Sequence, residues 1–127
     1  MQYLAWLVAS ALVRRLPPRA SYVIASFAGT VTYYAWPRCR RATQRNFGRI
    51  LRGEPRGLVR RTARRSVVNY CKYLVDFIRF PALSPEEMLR LAGGREPFAP
   101  IDAIRQRGRG AIIVCMHFGN WDLGAGA

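Results

Sequence analysis

Acidic residues are scarce in this sequence: seven stand against 21 basic ones in 127 residues, a net charge of +14. That imbalance implies an anionic partner, either nucleic acid or a phospholipid surface. Lysine is nearly missing too, since Lys72 is the only one and every other basic residue is arginine. Cysteine is sparse. Cys39, Cys71 and Cys115 are odd in number, far apart and without a C-x-x-C pair. This argues against a disulfide framework or zinc site and fits reduced thiols in a cytosol-facing protein. Repeats, low-complexity segments, helix-turn-helix, zinc-finger and aromatic RNA-binding motifs are all absent, which leaves nucleic-acid binding supported by charge alone. There is a single histidine, His117.

Long apolar runs are lacking as well. Residues 3–13, YLAWLVASALV, are closed by Arg14 and Arg15 and stopped by Pro17-Pro18. Residues 20–36, ASYVIASFAGTVTYYAW, end at Pro37. Each falls short of the ~20 residues that cross a bilayer upright. The first has no basic leader and no credible cleavage site, so it does not read as a signal peptide. Arginines flank the second run on both sides (Arg14, Arg15 and Arg19; Arg38, Arg40 and Arg41). A spanning helix would need both ends on the cytoplasmic side. The runs therefore predict a helical pair lying in the membrane interface or dipping into one leaflet. Tyr3, Trp6, Tyr33, Tyr34 and Trp36 near the run ends are placed as interface anchors. The competing reading makes both runs buried core helices.

Between residues 38 and 65 there are eleven arginines and one acid, Glu54. Arg38, Arg41, Arg45, Arg49 and Arg52 recur at helical spacing, which predicts one basic face. Gly53, Pro55 and Gly57 break that helix. A longer one is expected at about 58–79, with an apolar stripe of Val59, Ala63, Val67, Tyr70, Leu74 and Ile78. A merely solvated face would mix charge signs; this one does not, and it reads as an anion-facing patch. SPEEMLRL at 84–91 predicts a helix with Ser84 as N-cap, Pro85 in the first position and Glu86-Glu87 at the positive end of the dipole. Another short helix is expected at 100–107.

AIIVCM at 111–116 reads as a buried strand of a parallel α/β sheet. His117 stands at its C-terminal end, where α/β folds place ligands and catalytic groups. Asp122 follows five residues on. A regular helix would turn the two side chains apart; a turn at Gly119-Asn120 lets them meet, with a helix starting near Trp121-Asp122. A carboxylate accepting one imidazole N–H fixes the tautomer and frees the other nitrogen as a base. That base can take a proton from a substrate hydroxyl, which then attacks a thioester. The bland alternative is a surface histidine beside an N-cap aspartate.

HFGNWDL after GRGAIIVCM resembles the His-x4-Asp/Glu box of the bacterial lipid A biosynthesis acyltransferase family, which includes lauroyl, myristoyl and phosphatidylinositol mannoside acyltransferases. The order upstream is also similar: an apolar segment, an arginine-rich helix with RRATQRNFGRIL, a long amphipathic helix, then strand and box. The resemblance implies an α/β core like that of glycerophospholipid acyltransferases, at the cytoplasmic face of the inner membrane. It implies transfer of a fatty acyl group from acyl carrier protein or coenzyme A to a lipid or glycolipid hydroxyl. His117 matches the general base and Asp122 the acid that orients it; aspartate is nearer the phosphatidylinositol mannoside branch. Neither metal nor resident cofactor is implied. Members of the family are longer, so the chain is expected to be an N-terminal part. Its segments would be membrane-associating helices at 1–37, arginine-rich and amphipathic helices at 38–80, and the start of the α/β core at 81–127.

Two further readings fit parts of the sequence. A non-enzymatic basic module binding membrane or nucleic acid explains the charge but wastes the apolar N-terminus. A small structural membrane protein explains that N-terminus but not the strand–His–turn–Asp order.

Overall fold

The computed structural model describes residues 2–108, Ile112, Val114 and 119–126. Among these the regular structure is helical throughout: α1 (Gln2–Arg15), α2 (Pro18–Ala35), α3 (Pro37–Ile50), α4 (Arg56–Arg79), α5 (Pro85–Leu91), α6 (Ala99–Gln106) and α7 (Trp121–Gly126). Short 3-10 turns lie at Phe80–Ala82 and Glu96–Phe98. No described helix is long and apolar enough to cross a membrane.

The expected α/β core is not among the described residues. Most of the 111–116 run lies outside them, and so does Cys115. Ile112 and Val114 have no regular structure and are 94% and 91% exposed. The physical reason is that a parallel strand exists only against a neighbour that completes its hydrogen bonds, and no described segment supplies one.

The chain divides into two compact units, Met1–Ile78 and Arg79–Ala127. In the first, prolines set the helix boundaries. Pro18 and Pro37 open α2 and α3 at positions where a missing N–H costs nothing. Trp36, preceding Pro37, is held out of helical geometry at φ −112°, ψ 89°. α2 and α4 run antiparallel. The Tyr22 hydroxyl donates to the Asp76 carboxylate, Gly29 lies against Val68, and Tyr33 packs on Ala63 and Val67. Arg14 Nε donates to the Ile78 carbonyl at 3.4 Å, a cation on the negative end of α4.

The packing inverts the usual pattern for α2. Its buried residues are Ser21, Ala25, Gly29 and Tyr33, four apart and mostly small. Its large apolar residues point outward: Val23 is 69% exposed and Phe27 70%, with Ile24, Val31 and Tyr34 on the same side. α1 likewise exposes Leu4, Trp6, Leu7, Val8 and Leu12. The buried-core reading is therefore only half met: α2 supplies one inner face of a core through its small residues, while the bulkier side of α2 and the large apolar residues of α1 are uncovered.

α4 begins two residues before the expected start, and its stripe drifts. Ala63, Val67, Val75 and Ile78 are buried, whereas Tyr70 is 59% exposed. The buried row advances mainly in steps of four because it follows the four-residue row of small residues on α2. Arg52 falls beyond the end of α3, so the basic face of that helix keeps Arg38, Arg41, Arg45 and Arg49. Cys39 and Cys71 are free and half-buried. Burial, and secondarily Cys39, push the Cys71 thiol up, which makes it a poor nucleophile.

In the second unit, Ser84 caps α5 as expected. Its hydroxyl accepts from the Glu87 amide at 3.2 Å, while the Glu87 carboxylate accepts from the Ser84 amide at 2.9 Å. Hydrogen bonding from its own amide, then from Ser84, holds the Glu86 carboxyl below its usual range. Arg95 Nε pairs with Asp102 of α6 at 3.2 Å. α7 packs against α5.

Candidate functional site

The first candidate site is the box. Gly119 has φ +66°, a left-handed conformation that glycine adopts without a Cβ penalty. The expected turn is therefore present at this residue. Asn120 was expected to share it through a tolerant backbone, but its φ is not positive. Its side chain acts instead: Oδ1 accepts from the Leu123 amide at 3.4 Å, the N-cap bond of α7. Sequence reasoning gave Asn120 no chemical role; its position three residues before Leu123 was the available signal. Asp122 stands in the first turn of α7 and is half-buried. A carboxylate gains there from the helix dipole. His117 and Phe118 lie outside the described residues, and so does the expected His117–Asp122 contact. Among the described residues no group of three or more His, Cys, Asp or Glu could hold a metal ion.

The second candidate is a cleft in the Met1–Ile78 unit, about 600 Å³ in volume, between the end of α2, the middle of α3 and the first turns of α4. Four arginines line it: Arg40, Arg60, Arg61 and Arg64. The floor is built by Tyr33, only 3% exposed. The Tyr33 hydroxyl accepts from Gln44 Nε2 at 2.6 Å and donates to the Arg60 carbonyl at 3.4 Å. One phenol thus fastens α2, α3 and α4 together directly under the arginines. Tyr34 meets Tyr33 edge-on, 5.3 Å between ring centroids, and its carbonyl accepts from Arg40 Nη1 at 3.2 Å. The sequence showed the basic patch. It did not show Tyr33, Tyr34 and Gln44 converging on it, because these contacts join three separate helices.

The model of the family described as Bacterial lipid A biosynthesis acyltransferase matches residues 1–127. The chain belongs to that family. The matched span runs from the apolar and arginine-rich helices through residues 117–122. No curated protein and no solved structure matches the chain significantly. Membership makes this chain part of an acyltransferase family of membrane-linked lipid synthesis.

Proposed function

We propose that this chain belongs to a membrane-associated acyltransferase whose reaction centres on His117 and Asp122. The observation that carries this reading is the family match over residues 1–127; the His-x4-Asp spacing is read from the sequence within that span. The Gly119 turn and the Asn120 cap support it, since they set Asp122 at the start of α7. In the proposed reaction the imidazole of His117 removes the proton from an acceptor hydroxyl as its oxygen attacks the donor thioester carbonyl. The C–O ester bond forms, the C–S bond breaks, and the imidazolium returns its proton to the departing thiolate. The Asp122 carboxylate holds the imidazole in the productive tautomer and stabilises the imidazolium. The donor is an acyl carrier protein or coenzyme A thioester. The acceptor is a hydroxyl of a lipid or glycolipid, of lipid A or phosphatidylinositol mannoside type. No metal or resident cofactor takes part.

In this reading residues 1–37 associate with the cytoplasmic face of the inner membrane, 38–80 supply the anion-facing helices, and 81–127 begin the catalytic core. The test is acyl transfer from labelled acyl-carrier-protein and acyl-coenzyme A thioesters to glycolipid acceptors, with the protein in mixed micelles. His117→Ala is expected to lose about 10²- to 10⁴-fold in kcat. Turnover within a few fold of the unsubstituted protein would falsify the assigned base.

Membrane association is tested separately. Phe27 is 70% exposed and makes no large contribution to the protein's own core. Fully burying such a side chain in an apolar phase is worth about 1.5–3 kcal/mol. Phe27→Ser is therefore expected to weaken sedimentation with neutral phosphatidylcholine vesicles by roughly tenfold or more while helix content by circular dichroism stays constant. Unchanged vesicle binding would show that the outer face of α2 is not the contact.

A further inference from the structure

The arginine-lined cleft lies outside the box and needs no residue from it. Among the described residues its charge has no counterpart. The Met1–Ile78 unit carries fifteen basic residues against Glu54 and Asp76, a net of +13. Among the described residues no acid pairs with Arg40, Arg60, Arg61 or Arg64. Arg60 and Arg64 are one turn apart on α4, as are Arg56 with Arg60 and Arg61 with Arg65, and like charges so spaced repel. Arg56 opens α4 at its positive end, and no acid stands in that first turn. This arrangement works against the helix when empty and is relieved by a bound anion. Guanidinium groups favour phosphate because their forked N–H pairs match its oxygens.

The surroundings narrow the source of that anion. Val23, Ile24, Phe27, Val31 and Tyr34 recur at three- and four-residue steps, so the uncovered apolar side of α2 runs to Tyr34. Tyr34 is also a wall of the cleft. One continuous surface therefore passes from aliphatic and aromatic side chains, through a tyrosine, to four arginines. Arginines stand beyond both ends of α2, a flanking that suits the interfacial placement proposed above better than a spanning one. A ligand matching that sequence of chemistries has a hydrocarbon portion and a phosphate at headgroup depth.

We propose that the cleft of Tyr34, Arg40, Arg60, Arg61 and Arg64, floored by Tyr33 and Gln44, binds the phosphate headgroup of an anionic membrane phospholipid. The proposal rests on the membrane placement given above but not on the chemistry of His117 and Asp122. A volume of about 600 Å³ accommodates a phosphodiester headgroup and its water.

The experiment compares two double variants of equal charge. Arg60→Gln with Arg64→Gln removes two cleft arginines. Arg49→Gln with Arg65→Gln removes two exposed arginines that do not line it. Each is sedimented with phosphatidylcholine vesicles and with phosphatidylcholine–phosphatidylglycerol vesicles. Diffuse attraction weakens both variants alike on anionic vesicles. The cleft adds a further loss of roughly tenfold for the Arg60/Arg64 pair alone, and leaves binding to neutral vesicles unchanged in both. Should that pair alter helix content, Arg40→Gln with Arg61→Gln repeats the measurement.

Equal losses in the two variants overturn the cleft and leave the membrane placement standing. No binding of the unsubstituted protein to either vesicle overturns the placement and the proposal together. Soluble glycerol 3-phosphate that competes at the same phosphate concentration as the vesicles shows a site for free phosphate esters and overturns the lipid assignment. A selective loss of acyl-carrier-protein binding, with anionic vesicle binding intact, assigns the arginines to that protein instead.

Discussion

In the mechanism proposed above, Asp122→Asn is expected to lower acyl transfer by about 10²- to 10⁴-fold while leaving α7 in place. The substitution preserves shape and removes charge. Asn120, not Asp122, makes the N-cap bond of α7, and the dipole contribution of a first-turn carboxylate is only about 0.3–1 kcal/mol. The structural loss is therefore small. The chemical loss is large because an amide in this place can present its N–H₂ to the imidazole and favour the wrong tautomer. It also leaves the imidazolium without a counter-charge. As a positioning residue Asp122 should leave a second mark. A neighbouring carboxylate raises the pKa of an imidazole; without it, the acidic limb of the pH–rate profile moves to lower pH. Asp122→Glu keeps the charge and should recover most of the activity. Full activity of the asparagine variant, or an acidic limb that stays where it was, would remove Asp122 from the mechanism.

Gly29→Ala is expected to destabilise the Met1–Ile78 unit by about 1–3 kcal/mol. A Cβ at Gly29 would stand 2.7 Å from Val68 Cα and 3.3 Å from the Val67 carbonyl oxygen. Both are backbone atoms of α4 and cannot rotate away, so α2 and α4 must separate. Separation loosens Tyr33 from Ala63 and Val67. In an open helix the same change gains roughly 0.8–1 kcal/mol of propensity. Gly48→Ala provides that control, since the nearest atom to its Cβ is Val59 Cγ1 at 4.0 Å. In micelles, followed by circular dichroism, Gly29→Ala should lower Tm by several degrees, at about 4–8 °C per kcal/mol, and Gly48→Ala should raise it. A rise for both would mean that α2 does not touch α4 at Gly29.

The local punctuation of this chain was legible in its sequence. Pro18, Pro37 and the Ser84-Pro85 pair start helices where backbone chemistry alone requires it. Trp121 opens α7 at the expected place because Gly119 turns the chain. Contacts between helices were less legible. Val59, Tyr70 and Leu74 fit a 3.6-residue stripe, yet the buried row runs through Val75, because the partner surface on α2 selects the row. The Tyr33–Gln44–Arg60 junction joins residues 11 and 27 positions apart and has no periodic signature. The buried strand at 111–116 was inferred from a short, β-branched apolar run bounded by Gly110 and the His-Phe-Gly turn. Such a run carries no information about the neighbour it must pair with, and Ile112 and Val114 are exposed among the described residues. The family match supports the acyltransferase reading at the level of the family.

The inverted packing of α2 reverses the rule by which substitutions are tolerated. In most helices the inner positions demand bulk and the outer ones accept anything small and polar. Along α2, Ser21, Ala25 and Gly29 are ceilings on size, whereas in the proposed membrane placement Val23, Phe27 and Val31 are floors on hydrophobicity. A variant library of this helix scored for solubility in water would favour polar residues at the second set and, on that proposal, discard the proteins that bind vesicles. The same library scored for vesicle retention would select against polarity there and remain indifferent among leucine, isoleucine and phenylalanine. In both screens residue 29 would stay glycine.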